Sequence, residues 1–543
     1  MKLLLAATVA ALALPGVADA ARFAVGVAPG SDAKVLANTL EVRTGGRAMV
    51  IAPFAVELRA QSARGVAALR GVTYVERLGA QRRVAFVPTD PFFSSRQWYV
   101  PAVRAFDAWP RLQPAWLSTT RVAVIDSGID ADHPEFKGRI AAANTFVGGS
   151  AYKDAQGHGT FVSGLIAARL DGSGMAGVAF PAQLLIAKVV RPDGAVPLEA
   201  EARAIRWAVD KGARVINLSL GGVRNPFDPS GDGFSPLEAN AVEYAVRHGV
   251  VVVAAVGNSD HAPDQPWRYA SYPAALPHVL GVSAQARDGA VPMFSNRDMV
   301  YNDVSAPGDE LFSTLPRSLT SQRPTCVEQG YSDCGPQEFR RPQGTSFATA
   351  IVSAGAALVR SAWPDLRAEQ VSAMLERSAV DQTQATGCRR CSDGRDPLTG
   401  WGRLDIASAV DWTRAHPPRD RYESNDDAGA RAKVLVKRRP TIRATLDYWD
   451  DANDVYAVHL KRGQRLRLAL FGEEGDQLTL VVWRPGTRRL DDVRYPTSRW
   501  VARSVLPGSH DKLRLRAPRA GRYFVQVKIT EPGSGVYTLR LVR

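Results

Sequence analysis

"RVAVIDSGID", Arg121 to Asp130, is the stretch on which the fold turns. Val122 to Ile125 are apolar without a break, so this segment has no polar side to offer water. A strand with one wet face alternates polar and apolar residues; a near-continuous apolar run belongs in a parallel sheet covered on both faces. The run stops at Asp126, followed by Ser127 and Gly128. Two later stretches behave the same way: "ARVINLSLGG" runs into Ser219, and "GVVVVAAVGN" runs into Asn258. Helical segments are expected between such strands, for example Leu198 to Lys211 and Pro236 to His248. This order predicts a doubly wound α/β domain with a mostly parallel sheet. Ligand sites in such sheets gather at the carboxyl ends of the strands. There each run ends in polar residues close to glycine, which lets backbone approach a ligand closely.

A chain of 543 residues must hold more than this one domain. Its first twenty residues, "MKLLLAATVAALALPGVADA", carry one Lys, an apolar run from Leu3 to Leu14, and Ala18-Asp19-Ala20. That is the pattern of a secretory signal peptide, 1–20, with an apolar run too short to span a bilayer. No later segment offers about eighteen uninterrupted apolar residues, so no transmembrane helix is expected and the product is read as secreted and extracellular. Residues 21–88 read as a small α+β unit. It has strands at "RFAVGV", "RAMVIAPF", "VTYVERL" and "RRVAFV", a helix near Ala33 to Glu41 and a second helix around Ala60 to Leu69. Residues 89–413 hold the doubly wound domain, and "RAHPPRD" marks a linker, 414–421. Period-two strands such as "QRLRLAL" and "GRYFVQVKI" then predict an antiparallel all-β sandwich over 422–543.

Hydrophobic content of 45% with 22% charged residues excludes a disordered chain. The net charge of +14 raises the question of nucleic acid. The arginines, however, are dispersed and often alternate with apolar residues, and no nucleic-acid motif is present. A basic surface of this kind leaves anionic cell-wall polymers as a partner to consider. The four cysteines, Cys326, Cys334, Cys388 and Cys391, are an even number in an exported chain and favour two local disulfides, 326 with 334 and 388 with 391. A redox CxxC lacks its strand–helix context here, and zinc lacks a second pair with ligand spacing.

"RRPQGTSFATAIVSAG", Arg340 to Gly355, opens an apolar helix whose buried face is expected at Phe347, Ile351, Ala354 and Leu358. Ser346 stands at its start, beside free backbone N–H groups, where a serine serves equally well as a simple cap. His158, in "KDAQGHGTFVSGLIAA", also opens an apolar helix after a glycine turn. Taken singly, Asp126 could be a turn residue, His158 a satisfied core histidine and Asn258 a turn former. Together they supply a hydroxyl, a base, a group to orient the base and an oxyanion donor, which is the full requirement for nucleophilic attack on an amide.

These four stretches, in this order, resemble the subtilisin-like (subtilase) serine peptidases across the whole α/β region, including their Asp…His…Ser order. The resemblance implies Ser346 as nucleophile, His158 as general base and acid, Asp126 as its orienting partner and Asn258 as oxyanion donor. It implies that Ser219, Leu220 and Gly221 pair with an extended peptide, that Ala254, Ala255 and Gly257 form a second wall of the P1 pocket, and that Ser271 lies near its base. All are small or uncharged, which suits apolar or broad P1 residues in protein or peptide substrates. No cofactor is implied for the chemistry. Calcium is common in the family, and Glu135 and Asp171 fall at positions where it often has ligands, although two carboxyls are few for a cation that takes six to eight oxygens. Two departures stand out. Phe161 replaces a second histidine after "HGT", and Thr349 and Ala350 stand where a proline usually follows "GTSxA". The 21–88 unit resembles an inhibitory propeptide that acts on its own enzyme, and the sandwich resembles a pre-peptidase C-terminal domain with a role in surface association. The implied function is a self-processing secreted serine endopeptidase. A dedicated maturation protease for one exported partner, or an inert scaffold used for adhesion, are the competing readings.

Overall fold

A computed structural model describes residues 21–78, 88–112, 120–228, 230–321, 329–411, 420–422, 425–437, 439–449, 451–487, 490, 500–504 and 508–543. The chain divides into two compact units, Met1–Ala85 and Phe86–Arg543. The segment 1–20, the strand expected at 82–87, Cys326 and most of the 414–421 linker lie outside the described residues.

In the first unit, strands β1 (Ala21–Val27), β2 (Arg47–Ala52), β3 (Ala55–Ala60) and β4 (Val72–Arg77) form one sheet in the order β2-β3-β1-β4. One helix, Ala33–Thr44, packs on it through Leu36, Ala37 and Leu40. Asp32 caps that helix by accepting from the Lys34 N–H at 2.7 Å, and Gly45 ends it in the left-handed conformation. The helix expected at Ala60 to Leu69 is absent. Residues 55–60 are instead an inner strand hydrogen-bonded on both sides, and only a short 3₁₀ turn, Val66–Ala68, follows. Gly65 and Gly71, both at positive φ, leave too little chain between them for a stable helix.

The second unit contains a seven-stranded sheet, parallel throughout. Its strands are β5 (Arg121–Asp126), β6 (Ile140–Thr145), β7 (Gln183–Lys188), β8 (Val215–Leu218), β9 (Val251–Ala255), β10 (Val279–Gln285) and β11 (Val304–Pro307), in the order β11-β10-β9-β8-β5-β7-β6. Alternate residues of β5 explain its unbroken apolar run. Val122 and Val124 enter a core shared with the helices His158–Ala167 and Thr345–Ala362, while Ala123 and Ile125 enter the opposite core under the helices Leu198–Asp210 and Pro236–Arg247. From β5 the chain moves one way, to β6 and β7, and from β8 the other way, to β9. The switch point therefore lies between β5 and β8, where Asp126 and Ser219 emerge.

The helix Thr345–Ala362 departs from expectation in one respect. It is buried on all sides, well beyond the face of Phe347, Ile351, Ala354 and Leu358, because it runs through the middle of the core. Its many small residues let neighbouring elements close around it. Among the described residues it is the one helix long and apolar enough to cross a membrane, and 94% of it lies inside the protein.

The sandwich pairs a five-stranded sheet, β12-β14-β19-β16-β17, with a four-stranded one, β13-β20-β15-β18. The strands are β12 (Lys433–Val434), β13 (Thr441–Asp447), β14 (Asn453–Leu460), β15 (Arg465–Phe471), β16 (Leu478–Trp483), β17 (Trp500–Arg503), β18 (His510–Arg516), β19 (Gly521–Ile529) and β20 (Ser534–Val542). All pairings are antiparallel apart from the short β12–β14 contact. Leu466, Leu468 and Leu470 of β15 point inward against Val525 and Val527 of β19, as their period-two spacing requires.

Candidate active site

Asp126 is the last residue of β5, and its side chain is 3% exposed. His158 is the first residue of its helix, delivered by Gly157 at φ 89°. The His158 Nδ1–H donates to the Asp126 carboxylate, with both oxygens at 2.9 Å. That contact fixes the tautomer and leaves Nε2 as the basic nitrogen. Behind this pair sits Asp154, also buried. Its Oδ1 accepts from the Ser127 hydroxyl (2.9 Å) and the N–H groups of Gln156 (3.1 Å) and Gly157 (2.9 Å), and its Oδ2 from the N–H and hydroxyl of Thr160 (2.9 and 2.7 Å). Asp154 therefore caps the helix that carries the imidazole. Burial pulls the His158 pKa down. The charge and hydrogen bond of Asp126, with the charge of Asp154, outweigh it and hold the ring above its ordinary value. Gly159 is needed for this packing, since a Cβ there would stand 2.2 Å from the Gly128 carbonyl.

Ser346 lies in the first turn of its helix, after Gly344, and is not the cap. Its hydroxyl donates to the Ser219 carbonyl at 3.2 Å; among the described residues it makes no hydrogen bond to His158. The Ser219 hydroxyl donates in return to the Ser346 carbonyl at 2.7 Å. A chain of side chains extends behind Ser219: Asn217 Nδ2 donates to its Oγ (2.9 Å), and Ser353 donates to Asn217 Oδ1 (2.9 Å). Phe347 places its ring 5.6 Å from that of His158. Asn258 follows β9, and its Oδ1 accepts from both the N–H (3.1 Å) and the hydroxyl (3.0 Å) of Thr345. With the oxygen held, Nδ2 is turned towards the Gly344–Ser346 corner, where a Cβ added to Gly344 would lie 3.5 Å from it.

Residues 118–402 match the Subtilase family, Peptidase_S8. The chain belongs to that family. Subtilases similar to it include thermitase of Thermoactinomyces vulgaris, 33% identical over 305 residues that make up 56% of this chain and 94% of that one. Subtilisin DY of Bacillus licheniformis is 34% identical over 49% of this chain and 85% of its own. Among solved structures, the MycP3 protease from the type VII (ESX-3) secretion system aligns with TM-score 0.47 and 28% identity, over 58% of this chain and 88% of that one. This subtilase is a serine endopeptidase.

The remaining predicted positions of the subtilase site are brought together around Gly257. A Cβ at Gly257 would stand 2.2 Å from Ser271 Oγ, so Ser271 packs directly on this wall. Ala254 and Ala255 are buried in β9, Leu220 is half-buried, and Gly221 is exposed. Gly222 and Tyr272 exchange two backbone hydrogen bonds of 2.9 Å, which ties the Ser219–Gly221 stretch after β8 to the Ser271 segment. Asn296, which no sequence motif marks, locks this region. Its N–H donates to the Gly257 carbonyl (3.0 Å), its Nδ2 to the Val256 carbonyl (3.1 Å) and to Ser271 Oγ (3.3 Å), and its Oδ1 accepts from Ser259 Oγ (3.2 Å).

Glu135 and Asp171 do not fit a calcium ion. Glu135 is buried, and its Oε1 already accepts from the Met175 N–H (2.9 Å) and the Tyr331 hydroxyl (2.7 Å). Burial, with the nearby charges of Asp171 and Asp90, raises its carboxyl to about 7. Asp171 is exposed and faces Arg169 at 3.1 Å. Among the described residues no group of three or more His, Cys, Asp or Glu is arranged to hold a metal ion. Of the two departures from family pattern, Phe161 fills its place with a ring 4.3 Å from that of Phe347. Thr349 donates to the Thr345 carbonyl at 2.8 Å, and the helix runs unbroken without the proline. Cys388 and Cys391 form the expected disulfide; Cys334 is also disulfide-bonded, and Cys326 lies outside the described residues.

Proposed function

We propose that this subtilase is an exported endopeptidase, made as a self-processing zymogen, that works through an acyl-enzyme formed on Ser346. In the free enzyme the Ser346 hydroxyl is held by the Ser219 carbonyl. An extended peptide laid along Ser219, Leu220 and Gly221 offers its own N–H to that carbonyl, and the hydroxyl is then free to turn to His158 Nε2. His158 takes the proton as Ser346 Oγ attacks the scissile carbonyl carbon. Asp126 stabilises the imidazolium, and the developing oxyanion is met by Asn258 Nδ2 and the Ser346 N–H at the positive end of the helix. The imidazolium then protonates the leaving amine, and water repeats the sequence to release the acid. The observation that carries this reading is the Asp126–His158 hydrogen bond beside a serine at a helix start. The 21–88 unit acts as the intramolecular inhibitor, and the wall of Ala254, Ala255 and Gly257, with Ser271 near the pocket base, takes apolar or broad P1 residues.

The test compares wild type with Ser346→Ala by N-terminal sequencing and mass measurement of the exported protein, together with labelling by a serine-directed covalent inhibitor. Self-cleavage and labelling are expected in wild type alone. Hydrolysis retained by Ser346→Ala would overturn the assignment, and an unlabelled mature wild type would favour the adhesive reading. Digestion of a denatured-protein mixture separates a broad protease from one dedicated to a single partner.

A further inference from the structure

The outer face of the β13-β20-β15-β18 sheet carries an arrangement that stability alone does not favour. Arg465 of β15 lies directly opposite Arg516 of β18, and Arg467 directly opposite Arg514. The next row places Ala469 between Lys512 on one side and Arg540 on the other. Like charges in directly opposed positions of an antiparallel pair destabilise it, whereas opposite charges there would contribute stability. A sheet that needed only a soluble surface would gain from mixing the signs. These six side chains are exposed, and none of them forms an ion pair among the described residues. At the outward positions of the four strands, among the described residues, the single carboxylate is Asp447, at the far end of β13, where it is paired with Arg377.

We infer that this face is a docking surface for an anionic polymer, a linear chain with regularly repeated phosphate or carboxylate groups. Neighbouring strands are about 4.8 Å apart and same-face residues about 7 Å apart along a strand, so the six cations form a two-dimensional lattice of positive charge. A polymer running along the strands meets Arg465 with Arg516, then Arg467 with Arg514, then Arg540 with Lys512. Five of the six are arginines, whose planar fork takes two oxygens of one anionic group. The outward positions in those rows hold Thr441, Val542 and Ala469, and Phe471 in the next row is half-buried with the Arg540 guanidinium over its ring at 5.1 Å, so no large apolar side chain stands free to enter a bilayer, which favours a polymer over a lipid surface. This inference rests on the exported reading, because a surface polymer is met outside the cell, and it gives the sandwich a partner that is separate from the peptide cleft.

The test measures retention of the full chain on immobilised poly(glycerol phosphate) over a salt series, with phosphatidylglycerol vesicles as the second probe and peptide hydrolysis read in parallel. In Arg514→Glu/Arg516→Glu each glutamate faces an arginine, so the pairing of the sheet is relieved while four units of charge are removed. That variant is expected to lose at least tenfold in polymer affinity and to show a shallower salt dependence, with melting temperature held or raised and hydrolysis unchanged. Lys137→Glu/Arg287→Glu, two exposed positions on the peptidase body, carries the same net charge change and is expected to bind like wild type. Equal losses in both double variants, or vesicle binding as tight as polymer binding, would overturn the inference. Unchanged polymer binding in Arg514→Glu/Arg516→Glu would overturn it as well, whereas a wild-type chain that binds the polymer but hydrolyses no peptide would count against the catalytic assignment and leave this one standing.

Discussion

Ser219 and Ser346 hold each other: the hydroxyl of each donates to the backbone carbonyl of the other, at 2.7 and 3.2 Å. The first of these bonds ties the start of the Ser346 helix to the end of β8, and Asn217 and Ser353 extend the tie into the core. Ser219→Ala removes the tie and leaves Asn217 Nδ2 without its partner. The expected stability loss is about 1–3 kcal/mol, read as a fall in melting temperature. A misplacement of the nucleophile near 1 Å is worth up to about 10² in rate, so kcat is expected to fall on the order of tenfold with KM changing less. Steady-state kinetics beside calorimetry check this; an unchanged kcat would show that the helix is positioned by its packing alone.

Thr345 grips Asn258 Oδ1 with two donors and so aims Nδ2. Asn258→Ala is expected to lower kcat by about 10²–10³ with little change in KM, a magnitude known from another subtilase and carried over here. Thr345→Val keeps the N–H donor and removes the hydroxyl. It is therefore expected to fall between wild type and Asn258→Ala in kcat, and to add little in the double variant, since both changes act on one amide. Full additivity would separate the two residues.

The α/β core was legible because burial on both faces of β5, β8 and β9 leaves long apolar runs in the chain. Strand β3 was not, because Glu57 and Arg59 interrupt its pattern. Glu57 is buried at 6% exposure between Arg22, at 3.0 Å to each oxygen, and Arg59 at 2.8 Å, and these hydrogen bonds hold its carboxyl down to about 2. Such a partner across a sheet leaves no local trace. The site divides the same way. Asp126, His158, Asn258 and Ser346 each end or begin an element at a glycine turn, which is visible locally. Asn296 acts through contacts 25 or more residues away, and Asn217 links Ser219, two residues on, to Ser353, 136 residues on, so the partners that define both roles are remote in sequence. Asp154 was visible in principle, as a capping residue four positions ahead of His158.

Asp154 also acts on His158 through its charge. On the proposed mechanism catalysis needs the neutral imidazole, so kcat/KM is expected to rise with pH as His158 loses its proton. Because Asp126 and Asp154 together hold the ring above its ordinary 6.5, the acid limb is expected above that value. Asp154→Asn keeps the shape and removes the charge, so the acid limb should move to lower pH. Since one amide cannot accept all five hydrogen bonds, stability should also fall, by about 1–3 kcal/mol. A pH–rate profile separates the two effects: a variant that is merely less stable keeps the limb where it was.

Glu201 and Glu238 both lie buried on the helices Leu198–Asp210 and Pro236–Arg247, close enough for the charge of Glu238 to act on Glu201. Burial raises both carboxyls above their ordinary 4.5, and in Glu201 the charge of Glu238 adds to the rise. The folded protein thus holds protons that the unfolded chain releases near pH 4.5. The sign follows from linkage: the stabilisation is complete below that pH, declines as pH rises above it, and is lost once the folded pair ionises at neutral to alkaline pH. Two buried carboxylates side by side then repel without water to screen them. Glu201→Gln keeps a hydrogen-bonding amide in place and removes one titration. The melting temperature of wild type should fall by several degrees between pH 5 and about 9 while that of Glu201→Gln falls less, with the two measured on the Ser346→Ala background to prevent self-digestion. Parallel curves for the two proteins would place the alkaline loss elsewhere in the molecule.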